Sequence, residues 1–225
     1  MIDINYFIKT NLLFIFLFSI STTSFSQTNN RFEVLITNGY SNFIREHYKP
    51  EGTYKGNYAN GIAFRYLGKK KKIFRPTIGF SYSNLSQIRT VKNSSTFSTD
   101  FQQAIHYHII SIPYQLVLEK NDWRGGLEIA FESPFYLQDV YRRIDDSDQL
   151  GSRSRSGYWT KLLVHWGFGF GAFFGKNLKT KNGQSFFVEV QFKTFDVIRP
   201  FEAHDNYLMN NIFPYWIGLN IGKRF

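Results

Sequence analysis

At 225 residues the chain suits a single domain, and with no cysteine it must be held by backbone pairing and packing rather than disulfides. The formal charge of +10 would suit a nucleic-acid partner, but Lys9 followed by the apolar run 12–20 and small Ser24 and Ser26 reads as an export signal, so outer-membrane lipid and lipopolysaccharide are the expected counter-charges and nucleic acid is not. With 19% aromatic and 20% charged residues, polar groups interrupt every apolar stretch after the N-terminal run, so any membrane crossing falls to strands.

In chain order, Lys9, the apolar run 12–20, and small Ser24 and Ser26 read as a signal peptide at 1–26, with a mature domain at 27–225. Eight segments of period-two alternation follow. The first, 31–44, sets Phe32, Val34, Ile36 and Tyr40 on one face; the second, 57–67, opposes Tyr58, Ile62, Phe64 and Tyr66 to Ala59, Gly61, Ala63 and Arg65. The third, 73–84, opposes Phe74, Ile78, Phe80 and Tyr82 to Arg75, Thr77, Gly79 and Ser81. In the fourth, 103–120, Ile105, Tyr107 and Ile109 share one parity and Tyr114, Leu116 and Leu118 the other, which predicts a bulge near Pro113. The fifth, 123–132, alternates Leu127, Ile129 and Phe131 with Arg124, Glu128 and Glu132. The sixth runs from Tyr158 through "WGFGFGAFF" at 166–174, rings against glycines. The seventh, 185–197, alternates Phe186, Val188, Val190 and Phe192 with Glu189, Gln191 and Lys193; the eighth, 212–225, places Phe213, Tyr215, Ile217, Leu219 and Ile221 opposite Trp216, Gly218, Asn220 and Gly222.

Compact links ("GKKKK", "KND", "GKNLKTKNG") alternate with long ones, as periplasmic turns alternate with extracellular loops in outer-membrane barrels. The expected fold is therefore all-β: an eight-stranded antiparallel up-and-down transmembrane β-barrel after a cleaved signal peptide, located in the outer membrane. The apolar faces then meet lipid, and a lumen network of Arg65, Arg75, Glu119, Arg124, Glu128, Glu132, Lys161, Glu189 and Lys193 fills the interior. The glycines of the sixth strand leave room for these long side chains to meet. Tyr58, Tyr82, Tyr158 and Tyr215 fall near the extracellular strand ends, and Tyr66, Phe74, Trp123 and Phe225 near the periplasmic ones, as two aromatic girdles would.

Two stretches, "ISIPYQLVLEK" with Ile112, Pro113, Leu116 and Leu118, and "IGLNIGKRF" with Gly218, Gly222, Arg224 and Phe225, resemble the PorT-like outer-membrane β-barrels, relatives in architecture of small OmpA/OmpX-type barrels. The resemblance implies a Gram-negative envelope protein without shared catalytic residues. It also implies that the terminal Phe225 is read by the barrel-assembly machinery. No catalytic, metal or cofactor site is expected. His106 and His108 share a strand face without a fixed third ligand, and Asp145, Asp146 and Asp148 lack the glycine and distal glutamate of an EF-hand. Ser133, His204 and Asp205 do not form a recognisable nucleophile setting. Arg142, Arg143, Arg153 and Arg155 are candidate contacts for lipopolysaccharide phosphates, while Lys69 to Lys72, Lys176, Lys179 and Lys181 belong to the periplasmic rim, near anionic headgroups. The expected role is non-enzymatic, exercised through the long loops; the alternatives are an accessory subunit of a secretion or uptake complex and a lipid A-modifying enzyme.

Overall fold

The computed structural model describes residues 31–45, 52–92, 100–143, 152–154, 158–159, 167–181, 183–198 and 212–225; the expected signal peptide lies outside them. Among these residues the strands are β1 (Phe32–Arg45), β2 (Thr53–Leu67), β3 (Phe74–Val91), β4 (Phe101–Lys120), β5 (Trp123–Arg143), β6 (Ser152–Ser154), β7 (Tyr158–Trp159), β8 (Gly167–Lys179), β9 (Ser185–Ile198) and β10 (Ile212–Arg224). Every long strand pairs antiparallel with two neighbours, in the order β4-β3-β2-β1-β10-β9-β8-β5, and a β4–β5 ladder closes the ring. The short β6 and β7 add to the far end of β5. Closure matters because an open sheet edge in hydrocarbon would leave backbone groups unsatisfied at several kcal/mol each.

The first and last strands make the seam, from Glu33 opposite Arg224 to Arg45 opposite Ile212. Phe32 and Phe225 finish it by exchanging backbone hydrogen bonds of 3.1 and 2.8 Å. At this end the links are tight. Lys71 and Phe74 exchange bonds of 2.8 and 2.9 Å, and Lys72 and Asn121 both carry φ of 55°, the left-handed conformation short hairpins need. All four long connections leave the opposite end, so the seam end is periplasmic by the loop rule for such barrels.

Alternation is turned inside out relative to a soluble barrel. Leu127 is 68% exposed and Phe174 61%, whereas Glu132 and Arg124 are 0% and 1% exposed. Outward-facing Phe64, Ile78, Phe80, Leu116, Leu118, Val190, Phe192, Leu219 and Ile221 form an apolar band. Only a surrounding hydrocarbon phase stabilises such a surface, which identifies a membrane-spanning barrel.

Strand β4 shows where that band stops. Its odd residues from Gln103 to Glu119 are all buried inside and its even residues all point outward, in one unbroken phase. The bulge predicted near Pro113 is therefore absent: the β3–β4 ladder keeps its register from Ile78 opposite Tyr114 to Ser81 opposite Ser111. The irregularity lies between His108 and Ile109 and belongs to β5, where Phe135 is the extra residue between Pro134 and Tyr136. The physical reason is a change of surroundings along the strand. From Leu118 to Ile110 the outward residues are apolar; from His108 to Gln102 they are polar or small, while Ile105, Tyr107 and Ile109 turn inward. Ten residues at about 3.3 Å each, tilted by about 40°, cover roughly 25 Å, the height of the hydrocarbon band. Above it the barrel projects into water and reverts to apolar inside and polar outside.

Phe170 lies six residues from the rim residue Lys176, roughly 15 Å along the membrane normal. Phe170→Lys is expected to lower folding stability in lipid vesicles by about 2–4 kcal/mol, against about 1 kcal/mol or less for Gln102→Lys above the band. Denaturant titrations of the two variants in one bilayer check this.

Candidate functional site

The interior is built in two polar tiers and an apolar cap. In the periplasmic tier the hub is Arg124 of β5. Its Nη1 and Nη2 donate to the two carboxylate oxygens of Glu33 on β1 at 2.8 and 3.1 Å. Its Nε lies 3.1 Å from Glu189 Oε2, an ion pair outside hydrogen-bond angles. The guanidinium is also sandwiched, 4.0 Å from the Phe187 ring centroid and 6.0 Å from that of Phe173. Gly222 makes the room, since a Cβ there would strike the Phe187 ring. Strands β1 and β5 are separated by three strands in either direction, so the Glu33–Arg124 pair spans the barrel.

A second cross-link joins β10 to β4, also opposite walls: Arg224 donates to Glu33 at 2.7 Å and to Glu119 at 2.5 Å. Arg75 and Lys70 approach Glu119 at 3.3 and 3.8 Å. Arg65 Nη1 donates to Glu189 at 2.8 Å, and Asn220 Nδ2 donates to the same carboxylate at 3.2 Å.

The second tier centres on Lys193, whose Nζ sits 2.8 Å from Glu128 and 2.9 Å from Glu132. Strand β8 runs between β9 and β5 here, and its glycines permit the contact. A Cβ on Gly169 would strike the Glu132 carboxylate, while Gly171 faces the Glu128 and Lys193 Cβ atoms at ordinary contact distance. Gln115 and Gln191 donate to Glu128 at 2.5 and 3.1 Å, and Ser111 to Glu132 at 3.3 Å. In these two tiers the cations Arg65, Arg75, Arg124, Lys193 and Arg224 face the carboxylates Glu33, Glu119, Glu128, Glu132 and Glu189. Mutual pairing of this kind is the condition for burying charge.

Above Lys193, whose Nζ is 4.6 Å from the Phe195 ring centroid, the lumen is capped by Phe43, Ala59, Leu85, Ile105, Tyr107, Ile109, Phe195 and Trp216. Phe43 meets Tyr107 edge-on at 5.2 Å, and Phe195 meets Trp216 at 5.8 Å. The wall is mended at the same level. Where β2 shifts register between Gly56 and Asn60, the Ser41 hydroxyl accepts from the Ser86 N–H at 2.7 Å and donates to the Ser86 carbonyl at 2.8 Å. One serine thus replaces the strand contact that the bulge removes. Among the described residues a cavity of about 20 Å³, room for one water, lies between Thr37, Arg65, Ser83, Gln191 and Trp216.

Eight of the nine expected lumen residues converge in these tiers; Lys161 lies outside the described residues. Arg142, Arg143 and Arg153 fall on the described backbone of β5 and β6, above the band, and Arg155 falls outside it. Also outside are Asp145, Asp146, Asp148, His204 and Asp205. His106 and His108 point outward; His108 Nδ1 is 2.7 Å from the Tyr82 hydroxyl within an aromatic group including Phe135 and Tyr136. No group of three metal-ligating side chains occurs among the described residues. Sequence reasoning missed Glu33 and Arg224 as lumen residues, together with the inward rings of Phe173 and Phe187. Each was marked by parity: Glu33 opposes Phe32 and Val34, and Arg224 continues the face of Asn220 and Gly222.

No family model matches the sequence, and no curated protein matches it. Solved structures do resemble the fold. Ail, the attachment invasion locus protein of Yersinia pestis, aligns at a TM-score of 0.44 and 12% identity over 88% of this chain and 100% of its own. Ail in complex with the heparin analogue sucrose octasulfate aligns at 0.40 and 14% over 87% and 99%. Neisserial surface protein A gives 0.40 and 9% over 89% and 100%.

Arg124→Met leaves Glu33 buried with one fewer partner and is expected to destabilise the barrel by about 3–5 kcal/mol, the range for breaking a buried ion pair. Lys70→Met, whose side chain is 39% exposed, is expected to change stability by less than about 1 kcal/mol. Denaturation midpoints of the detergent-folded variants check both.

Proposed function

We propose that this outer-membrane barrel is a closed, non-enzymatic scaffold whose long extracellular connections carry its role at the cell surface. The observation that supports this reading best is the filled lumen. Two tiers of cross-paired charge and an apolar cap fill the described lumen, which supports a closed barrel rather than a route for solutes. A barrel with a packed interior and long connections is well suited to presenting loops. Arg142, Arg143 and Arg153 stand at that end of the described strands and, with Arg155 close by in sequence, suit bidentate contact with lipopolysaccharide phosphates. Phe225, hydrogen-bonded to Phe32 at the seam, suits a terminal signal for the barrel-assembly machinery. The Ile112-Pro113 strand and the Arg224-Phe225 terminus favour the PorT-like group within the small barrels. An accessory subunit of a secretion or uptake complex would use the same surface.

Reconstituted in a planar bilayer, the protein is expected to give no steady conductance steps; a stable open level would overturn the closed-scaffold reading. Its overproduction is expected to leave the mass of lipid A unchanged, and gain or loss of an acyl chain would make it an enzyme instead.

A further inference from the structure

The periplasmic rim carries a feature that neither the lumen nor the loops use. Lys120, the last residue of β4, pairs with Trp123, the first of β5, and Trp123 pairs in turn with Lys176 of β8. Three adjacent strands therefore place Lys, Trp and Lys in one row on the outer wall, at the edge of the apolar band. All three are exposed, Trp123 by 51%. At about 4.8 Å per strand the two lysine backbones stand roughly 10 Å apart.

The row is organised rather than loose. Trp123 stacks on Phe174 at 5.1 Å with 16° between the rings, and the Lys176 Nζ lies 5.6 Å from the Trp123 ring centroid. Gly125, which lies opposite both Leu118 and Phe174, lets the Phe174 ring lie flat: a Cβ there would come within 3.3 Å of it. The β4–β5 turn is tied to β8 by the Asn177 N–H, which donates to the Asp122 carbonyl at 2.6 Å. Asp122 is the nearby carboxylate and is exposed, yet neither Lys120 nor Lys176 forms an ion pair among the described residues. Two other cations of this rim are engaged. Lys70 reaches Glu119, and Lys223 is buried between the Phe186 and Phe225 rings.

We propose that Lys120 and Lys176, straddling the stacked Trp123 and Phe174, form a seat for an anionic phospholipid of the periplasmic leaflet. The phosphate and its anionic headgroup lie between the two ammonium groups, while the acyl chains descend along Leu118, Leu127 and Phe174. Position and charge together select this occupant. The row adjoins the lipid-facing band, so its ligand must carry hydrocarbon, and its net charge selects an anion. The proposal rests on the membrane-spanning reading.

The test is native mass spectrometry of the mature protein released from vesicles of equal phosphatidylglycerol and phosphatidylethanolamine with matched chains. Wild type is expected to retain phosphatidylglycerol preferentially. Lys120→Gln with Lys176→Gln is expected to lower that preference roughly thirtyfold, as two membrane-surface lysine charges imply, while Lys69→Gln with Lys71→Gln leaves it within about twofold. Soluble glycerol phosphate should not compete. Equal retention of the two lipids, an unchanged preference in the Lys120 and Lys176 double variant, or displacement by soluble glycerol phosphate would each overturn the seat. Heat-modifiable migration of each variant verifies that the barrel has formed. Failure of the wild type to insert into vesicles would overturn the membrane reading itself, whereas insertion without lipid preference overturns the seat alone.

Discussion

The wall of this barrel is one chain thick, with hydrocarbon on its far side, and that constrains everything inside it. A charge projected into the lumen has no bulk water to meet, so it is stabilised only by an opposite charge projected from another strand. An eight-stranded ring is narrow enough for long side chains to meet across it. Glu33 and Arg124 do so at 2.8 Å from opposite walls, and Arg224 joins β10 to β4 in the same way. The aromatic rings and glycines of the lower lumen follow from these pairs. Phe187 and Phe173 flank the Arg124 guanidinium, Gly222 gives Phe187 its place, and Gly169 gives Glu132 its own.

The same wall obeys a second rule once it leaves the bilayer. Above Ile110 the outer face meets water and the inner face needs no charge, so Ile105, Tyr107 and Ile109 join Phe43, Phe195 and Trp216 in an apolar cap. Membrane barrel and soluble barrel are thus stacked on one set of continuous strands. Polar pairing fills the described lower lumen and apolar side chains fill the cap above it.

Much of this was legible in the sequence because period-two alternation does not depend on distant partners. The strand count, the short turns at one end, and the inward direction of Arg65, Arg124, Glu128, Glu189 and Lys193 all follow from parity and loop length. The bulge placed near Pro113 did not survive, for a physical reason. Parity says which residues share a face, but not whether lipid or water lies behind it, and the apolar residues of β4 change sides where the hydrocarbon ends. Ion-pair partners were also out of reach. Glu33 and Arg124 are 91 positions apart, and which inward residues stand level depends on the stagger accumulated around the ring.

Cross-lumen pairing is tested most directly by a double-mutant cycle on Glu33 and Arg124, read as unfolding free energy of the refolded barrel. If the two side chains stabilise each other across the lumen, Glu33→Gln combined with Arg124→Met will be less destabilising than the sum of the single changes, by about 1–3 kcal/mol. Strict additivity would mean that they do not meet, and the account of the interior would be contradicted.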